Sequence, residues 1–318
     1  AFGLCSAAAH AQTYGFATLP PGTLNHTTAS AVAKVLKEKA GMNMLVQPTA
    51  GDQVIVPMVG RGEVEVGIAN AMEVHDGLAK GNKDLRIIAA AHPLRVGFFV
   101  RKDSPIKTIA DLKGKRVAWV IGAPSLNQNI TAILAHANLT WDDVKKVEFG
   151  GFGAAMDGIV NNQVDAAFSS SLSGKAYAIA KSPRGLVYPI ISHADKEGWK
   201  RMNAIAPFFF PFMGTEGADL SKEKPAEAAT YPYPVLMTYA DRDVDTVYNM
   251  TKAMVEAFGD YKDNAPGNSG WDAKRQNFAW VVPYHDGAIK YWKEAGLWKP
   301  EHQAHNDKLI ERQKVMAT

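Results

Sequence analysis

The chain has 318 residues, of which 47% are hydrophobic and 21% are charged, so two domains rather than one large core are expected. Its 35 Lys and Arg residues against 32 Asp and Glu residues give a net charge of +3. This weak excess, without a long basic run, argues against a nucleic-acid-binding surface.

The first residues, AFGLCSAAAHAQ, are small and apolar and contain Ala9-His10-Ala11. This small-x-small pattern predicts that residues 1–11 are the remnant of a secretory signal peptide and that the mature chain starts near Gln12. The single cysteine, Cys5, would be removed with it, which suits a periplasmic location. A lipoprotein anchor at Cys5 is the competing interpretation, although Leu4 stands where a small residue is usual. No later run is long and apolar enough to span a bilayer.

The next part of the chain predicts strand, loop and helix three times over, which is typical of a parallel sheet flanked by helices. The predicted strands are Thr13–Leu19, Met44–Gln47 and Val64–Ala69. The predicted helices are Asn25–Ala40, Gln53–Val59 and Ala71–Leu78.

A crossover from one lobe to another is predicted between Asp84 and Ile121. The apolar runs Leu85–Ala91 and Val96–Arg101 read as strands, and Ile109–Leu112 as a short helix before the strand Arg116–Ile121. The predicted lobes are 12–98 and 208–318 for lobe 1 and 99–207 for lobe 2.

The second lobe repeats the unit of the first. Its predicted elements are Arg116–Ile121, Asn129–Ala137, Val147–Phe149, Phe152–Asn161 and Val164–Ser169. TAGDQVIVPMVGRGEVEVGIAN in the first lobe parallels GGFGAAMDGIVNNQVDAAFSSS in the second, since each has a glycine loop, a helix, and then Val-Glu or Val-Asp before a short strand. This weak repeat indicates duplication.

The remainder is less periodic. Pro207–Met213 is an aromatic run whose Pro211 disfavours a central strand, so we interpret it as a return crossing or a cleft wall. Thr230–Tyr239 is predicted as a strand, Val244–Phe258 as a helix and Trp271–Thr318 as mostly helical.

Ligands of open α/β sheets bind beyond the carboxyl ends of the strands, where helix N-termini hold anions. Both predicted lobes offer such loops, rich in Gly, Ser, Thr and Asn, and together they would line a cleft with neutral donors. The competing interpretation for Thr23, Asn25, Asp52 and Ser125 is simple helix capping.

The chain resembles the TAXI family of solute receptors for TRAP (tripartite ATP-independent periplasmic) transporters. The matching pieces are the Gly-Thr after the first strand, TAGDQ, IVPMVGRGEVEVGIAN, the crossover VRKDSPIKTIADLKGKRVA, DGIVNNQVDAAF and PYHDGAIKYWKEAGLW. The resemblance implies an α/β, two-lobed fold of the type II periplasmic-binding-protein kind, with a mostly parallel sheet flanked by helices in each lobe and a cleft between the lobes. It also implies an exported receptor that passes a small organic acid, a carboxylate or an acidic amino-acid-like ligand, to a TRAP permease. We expect this receptor to be a monomer and to need no cofactor.

Carried over by motif, the resemblance implies a set of ligand-binding residues in the loops of both lobes. These are Gly22, Thr23, Asn25, Thr49, Ala50, Gly51, Asp52, Asn70, Ser125, Asn127, Gln128, Ser169, Ser170 and Ser171. Asp52 stands where the family usually has a small hydroxyl residue, and the loop around Ser125 lacks the family's glycines and basic residue. Because an acid at position 52 opposes a nearby carboxylate, we expect one carboxylate with a polar or aromatic remainder.

Two other functions remain open at this stage. An enzyme on the same frame would need an acid and a base, for which Asp52 and His92 are the candidates, but no nucleophile elbow, phosphate loop or dinucleotide fingerprint is present. A ligand-sensing module would need a signalling or DNA-binding domain, which this sequence lacks. His302 and His305 share a predicted helix face without a third ligand beside them, so a metal site is not expected there.

Overall fold

The computed structural model describes residues 12–316, except 22, 81–83, 93–95 and 266. The predicted signal-peptide remnant, Cys5 and Gly22 therefore lie outside the described residues. The chain divides into two compact units: unit 1 runs to His92 and resumes at Tyr233, and unit 2 occupies the chain from Pro93 to Pro232.

Unit 1 contains a five-stranded sheet with the order β2-β1-β3-β12-β4. Its elements are β1 (Thr13–Thr18), α1 (Leu24–Ala40), β2 (Asn43–Pro48), α2 (Asp52–Gly60), β3 (Val66–Ala69), α3 (Ala71–Ala79) and β4 (Leu85–Ala90), followed after unit 2 by β12 (Val235–Tyr239), α8 (Val244–Glu256), α9 (Phe258–Tyr261), α10 (Asp286–Glu294) and α11 (Pro300–Met316). The pairings β1–β2 and β1–β3 are parallel, whereas β12 is antiparallel to both of its neighbours.

Unit 2 contains a second five-stranded sheet, of order β7-β6-β8-β5-β9, and a two-stranded sheet of β10 and β11. Its elements are β5 (Phe99–Arg101), β6 (Arg116–Val120), α4 (Pro124–His136), β7 (Lys145–Phe149), α5 (Phe152–Val160), β8 (Ala166–Ala167), α6 (Gly174–Lys181), β9 (Leu186–Val187), α7 (Lys196–Ile205), β10 (Phe210–Gly214) and β11 (Ala226–Thr230). Here β6 is parallel to β7 and β8, while β5 is antiparallel to β8 and β9.

The predicted α/β fold class is confirmed, but both sheets are mixed rather than mostly parallel. In each sheet the strand–helix–strand crossovers give parallel pairs, and one strand near the unit boundary is inserted in the opposite direction: β12 in unit 1 and β5 in unit 2. Helices α1, α2 and α3 agree with the predicted ranges to within two residues at each end.

Two predicted lobe boundaries and one predicted strand differ from the structure. Unit 2 begins at Pro93 rather than at 99 and extends to Pro232 rather than to 207. The reason for the second difference is packing: Ala218, Ala226 and Ala228 belong to the hydrophobic core of unit 2. The segment predicted as one strand from Thr230 to Tyr239 is therefore divided between the end of β11 and β12, one in each unit.

Pro211, which disfavoured a strand, lies inside β10 and opposite Ala229 of β11. A proline is tolerated in such a strand because each strand of a two-stranded sheet has one unpaired edge, where a backbone nitrogen needs no partner in the ladder. Phe208 and Phe209 are buried and contact Tyr231, so these two side chains of the aromatic run take part in core packing.

The internal repeat is present in the backbone, with an offset of 100 residues. Helices α2 and α5 both have nine residues and both follow a glycine N-cap, Gly51 or Gly151. The residue two positions after each helix is left-handed, with φ of 73° at Gly62 and 60° at Asn162. The end of each repeat strand predicts that Asn70 corresponds to Ser169, but on the offset of 100 residues Asn70 corresponds to Ser170.

The acidic residue in each copy of the repeat accepts a hydrogen bond from a backbone N–H of a neighbouring strand. The Glu65 carboxylate accepts a hydrogen bond from the Gly15 N–H at β1. The Asp165 carboxylate accepts one from the Arg116 N–H at the start of β6, at 3.0 Å. The Val-Glu and Val-Asp pairs of the sequence therefore indicate carboxylates that accept a hydrogen bond from a backbone N–H of the adjacent parallel strand.

Candidate functional site

The candidate site in unit 1 lies where β1, β2 and β3 end. Because these strands are parallel neighbours, their carboxyl ends meet at one edge of the sheet, and we call their loops rim 1 (residues 19–21, 23, 49–51 and 70). In unit 2, β6, β7 and β8 are also parallel neighbours. The loops that follow them lie at the equivalent edge of their sheet, and we call these loops rim 2 (residues 121–123, 150–151 and 168–173).

Two predicted residues at the start of α1 have different roles. Thr23 caps the helix, since its Oγ1 accepts a hydrogen bond from the His26 N–H at 3.2 Å. Asn25 is fully buried and not a cap: its Nδ2 donates to the Ile68 carbonyl oxygen at 3.4 Å, which ties α1 to β3. Contact between Asn25 and a ligand therefore requires a change in this packing.

Asp52 begins α2 but does not cap it. Its Oδ1 accepts a hydrogen bond from the Asn70 N–H at 3.0 Å, so it joins the loop after β2 to the loop after β3. Burial raises the pKa of Asp52, and this hydrogen bond partly offsets the effect. Asn70 in turn caps α3 through the Met72 N–H, at 3.1 Å. The structure thus brings together two of the predicted site residues.

The remaining residues of the β2–α2 loop are more accessible. Ala50 is exposed, and Thr49 is half-buried with its Oγ1 donating to the Gly51 carbonyl oxygen at 3.3 Å. The Thr49 N–H donates to the Thr18 carbonyl oxygen at 2.7 Å, which fixes this loop against the end of β1.

In unit 2, α4 begins at Pro124, five residues before the predicted start at Asn129. Proline is favoured in the first helical turn, because its fixed φ suits the helix and its missing N–H costs no bond there. Ser125, Asn127 and Gln128 consequently lie within the helix rather than in a loop.

Asn127 and Gln128 already have partners in unit 2. The Asn127 side chain accepts from the Val120 N–H at 3.0 Å and donates to the Val120 carbonyl oxygen at 2.9 Å, as a neighbouring strand would. Gln128 Nε2 donates to the Ile205 carbonyl oxygen at 3.4 Å. The amide of Asn127 therefore holds α4 against β6, whereas Gln128 remains half-buried at the surface.

The three predicted serines differ in accessibility. Ser169 Oγ lies 3.0 Å from Ser173 Oγ, and Ser170 Oγ accepts from the Leu172 N–H at 3.2 Å. Ser171 is fully buried, and its Oγ accepts from the Val96 N–H at 3.1 Å and donates to the Glu216 carbonyl oxygen at 3.0 Å. Of the three, only Ser170 is more than slightly exposed.

Three of the longer helices begin without a side-chain hydrogen bond from their N-cap residue, and all three start at a rim. They are α2 at Gly51, α4 at Ala123 and α5 at Gly151. By contrast, a side chain caps each of α1, α3, α6, α7, α8 and α10. An uncapped helix start presents backbone N–H groups and a partial positive charge, which suits an anion.

The charged side chains near the two rims differ. The described part of rim 1, with the first two turns of α1, α2 and α3, contains Asp52, Glu73 and Asp76 but neither Lys nor Arg. In the same part of unit 2, Lys175 is paired with Asp157 at 3.0 Å. Backbone amides, rather than basic side chains, are the groups available for a carboxylate at rim 1.

A cavity of about 460 Å³ opens at rim 2. Its lining residues are Trp119, Ile121, Gly122, Pro124, Asn127, Gln128 and Thr131. Trp119 was not among the predicted site residues, because a tryptophan in a strand normally indicates core packing. The signal available was its position, one residue before the end of β6.

The described residues contain no group of three or more His, Cys, Asp or Glu side chains that could hold a metal ion. Within the same part of the chain, every helix is too short or too polar to cross a bilayer.

The model of the NMT1-like family matches residues 16–296, which is well over half of the chain. The chain belongs to the NMT1-like family. The match includes both units and both rims, so this NMT1-like protein carries the candidate site within the region that defines its family.

Solved structures give the fold of this NMT1-like protein. A putative sulfonate ABC transporter periplasmic sulfonate-binding protein, SsuA of Methylobacillus flagellatus KT, matches with a TM-score of 0.53 at 15% identity, covering 94% of this chain and 95% of that chain. The periplasmic aliphatic sulphonate binding protein SsuA of Escherichia coli has a TM-score of 0.49 at 16% identity, covering 96% and 84%. At such identities the first match shows a shared two-lobed α/β fold.

Proposed function

We propose that this NMT1-like protein is an exported solute-binding receptor that captures a small organic acid. The observation that carries the proposal is that helices α2, α4 and α5 begin uncapped at the rims of their sheets. Membership of the family and the fold of periplasmic binding proteins support the same assignment.

The proposed chemistry is binding without turnover. A carboxylate at an uncapped helix start accepts hydrogen bonds from N–H groups that otherwise need water, and it interacts favourably with the helix dipole. Micromolar affinity requires about −8 kcal/mol, which a few such bonds in a desolvated site supply. If both rims bind one ligand, the ligand favours the closed arrangement by its differential affinity for that state.

The negative charge of Asp52 at rim 1 limits how many carboxylates a ligand can carry near it. Asp52 is half-buried and opposes a second carboxylate near it, and no Lys or Arg of the described rim offsets this repulsion. We therefore propose a ligand with one carboxylate rather than a dicarboxylate. A hydroxyl or amino group facing Asp52 would turn the repulsion into a hydrogen bond.

We further propose a periplasmic location and delivery to a TRAP permease by a monomeric receptor that needs no cofactor. The support for this step is the resemblance to the TAXI receptors over the mature chain. The enzyme alternative receives less support, because Asp52 is bonded to the Asn70 N–H and His92 Nε2 accepts from the Asn277 N–H at 3.3 Å. Each candidate acid or base thus has a structural partner.

Isothermal titration calorimetry against monocarboxylates, dicarboxylates, sulfonates and amino acids tests the proposal. We expect a monocarboxylate to bind with a micromolar or lower Kd and to remain chemically unchanged. Folded protein that binds no organic acid would contradict the receptor assignment, and turnover of the bound acid would support an enzyme instead.

Gly151→Asp should separate stability from ligand binding. The extended backbone at Gly151 suits any residue, and a Cβ there meets no atom within 4 Å. An aspartate at this N-cap should stabilise α5 by about 0.3 kcal/mol relative to glycine, which is itself a tolerated N-cap residue. It also occupies the N–H groups proposed for the ligand and repels an anion, so organic-acid affinity should fall at least about tenfold. Urea unfolding and calorimetry measure the two effects.

Gly151→Ala is the matched control, because it adds the Cβ without a cap or a charge. We expect it to retain affinity within about twofold, since the side chain meets open space. If Gly151→Asp binds the acid as tightly as the wild type does, the start of α5 does not contribute to the site.

Asp52→Asn should change which acids bind. Asparagine retains the Oδ1 acceptor for the Asn70 N–H but removes the charge, so affinity for a dicarboxylate should rise about tenfold as the repulsion is lost. Calorimetry with succinate and with the preferred monocarboxylate measures the change. Glu63→Gln removes the same charge from an exposed residue at the other end of α2, and it should change neither affinity. Equal effects of the two substitutions would mean that Asp52 acts only through the net charge.

A further inference from the structure

The cavity at rim 2 has an aromatic wall, the Trp119 ring, to which the proposed function assigns no role. Its volume is about 460 Å³, and its lining combines the Trp119 ring with Ile121 and Gln128. We propose that this cavity, the Trp119 subsite, binds a planar aromatic group of the organic acid, with Trp119 as the residue that determines this specificity. The proposal rests on the receptor function argued above.

The Trp119 ring is held in place before any ligand arrives. Trp141 packs against it edge to face, with ring centroids 5.1 Å apart and planes at 79°. Trp141 is itself fixed by a hydrogen bond from its Nε1 to Thr131 Oγ1, at 2.9 Å. The ammonium of Lys146 lies 4.8 Å from the Trp119 ring centroid, a cation–π distance. A ring supported on several sides loses little conformational entropy when a ligand stacks on it.

The other walls fit the two ends of an aromatic acid. Ile121 is 57% exposed, an unusual position for a large apolar side chain, and it stands beside β7 through the bond from its N–H to the Phe149 carbonyl oxygen at 2.9 Å. Gly122 and Pro124 lead into the uncapped start of α4. An aromatic group on Trp119 and Ile121 would therefore leave the carboxylate of the same ligand beside the backbone N–H groups at the start of α4.

The size of the cavity favours a small molecule over a protein segment. Pockets for small ligands are about 300–1,000 Å³, whereas a helix with its side chains is about 10 Å across. A second groove, of about 370 Å³ and lined by Thr131, Trp141 and Ile205 among others, adjoins the first through Thr131. Docking of a partner protein across both grooves is the alternative that the experiment must separate.

The experiment compares phenylacetate with cyclohexylacetate, which have equal charge and similar size but differ in the aromatic ring. We expect wild-type protein to bind phenylacetate at least fivefold more tightly in calorimetry. Trp119→Leu should abolish this preference while retaining affinity for cyclohexylacetate, and Trp119→Phe should restore most of it. Phenylacetate should also change the intrinsic tryptophan fluorescence of the wild type more than that of Trp119→Phe.

Ile121→Ser provides a second variant in case Trp119→Leu does not fold, because Ile121 is exposed and its replacement leaves the core intact. It should weaken phenylacetate binding at least threefold and leave thermal unfolding unchanged. Equal affinity of the wild type for the two acids, or a preference that survives Trp119→Leu, would overturn the aromatic subsite while the receptor function stands. Absence of binding by either acid and by all other organic acids would overturn the receptor function itself. A Trp119→Leu protein with normal binding but impaired delivery to a permease would assign the surface to a protein partner and likewise overturn the subsite.

Discussion

Asp165→Asn is expected to lower the free energy of unfolding by about 2–3 kcal/mol, because it removes the buried carboxylate that two arginines share, although both arginines also donate to Asn162. The Asp165 carboxylate is buried and accepts hydrogen bonds from Arg116 Nη2 at 2.7 Å and Arg101 Nη2 at 2.9 Å. It also accepts from Arg116 Nε at 3.1 Å and from the Arg116 backbone N–H at 3.0 Å. Asparagine cannot satisfy these donors, and the two guanidinium groups would repel each other.

The electrostatics of this carboxylate agree with that expectation. Burial alone would raise the pKa of Asp165, but the hydrogen bonds from Arg116 and the charges of Arg116 and Arg101 outweigh it and hold the pKa below the usual value. A depressed pKa means that this group stabilises the fold above its unfolded-state pKa. The contribution is lost as the pH falls through the folded-state pKa.

Asp157→Asn is the control for Asp165→Asn, measured in the same urea titration. Asp157 pairs with Lys175 at 3.0 Å, but both side chains are about half exposed, so the loss should stay below about 1 kcal/mol. Similar losses for the two variants would contradict the role given to Asp165. That role is specific to the second copy of the repeat, because Glu65 faces the amide of a glycine in the first.

Acid should destabilise the protein through His92, with the loss between pH 6.5 and 4 reaching about 3 kcal/mol. His92 follows β4 at the end of the first part of unit 1 and is 8% exposed. Burial lowers its pKa from 6.5 to about 4. The neutral ring accepts a hydrogen bond from the Asn277 N–H at its Nε2, an acceptor that protonation removes.

The direction of the change in stability follows from the pKa of His92 in the folded and in the unfolded chain. Because the folded-state pKa is the lower one, the unfolded chain takes up the proton first, so stability is full above about pH 6.5 and falls as the pH decreases towards 4. The difference of about 2.5 between the values corresponds to about 3 kcal/mol. His92→Gln removes the titrating group and should flatten this part of the stability profile.

Urea unfolding of the wild type and of His92→Gln at several pH values measures the effect as a difference. His75, His136 and His285 also have lowered pKa values through burial, but they are common to both proteins and cancel in that comparison. Parallel profiles for the two proteins would mean that His92 titrates alike in the folded and the unfolded chain.

Local patterns predicted the helices that start at rim 1 to within two residues, but placed the start of α4 at rim 2 five residues too late. Of the apolar positions that recur at helical spacing in α1, Ala29, Val32 and Leu36 are buried, whereas Ala33 is partly buried and Ala40 is exposed. Thr23 was a correct candidate cap, whereas Asn25, Asp52 and Ser125 were not caps. The same residue types occur at caps and in tertiary links, and only the position of the partner strand distinguishes the two roles.

The site residues show the same division. Asn127 and Ser171 have the polarity of ligand-binding residues, yet their hydrogen bonds join α4 to Val120 and the start of unit 2 to the β8–α6 loop. Trp119 has the hydrophobicity of a core residue, yet its side chain lines a cavity. The residue type alone does not show whether a side chain packs in the core or lines a site, because that role depends on which distant segment packs against the residue.

The sequence by itself determined the alternation of strands and helices, the duplicated α/β unit and its acids at positions 65 and 165, because these depend on the periodicity and turn chemistry of neighbouring residues. Only the tertiary structure decided where unit 2 ends, that both sheets are mixed, and which helices begin without a cap. The physical reason is that a buried polar group takes its hydrogen-bond partner from whatever the fold places beside it, often many residues away in the chain.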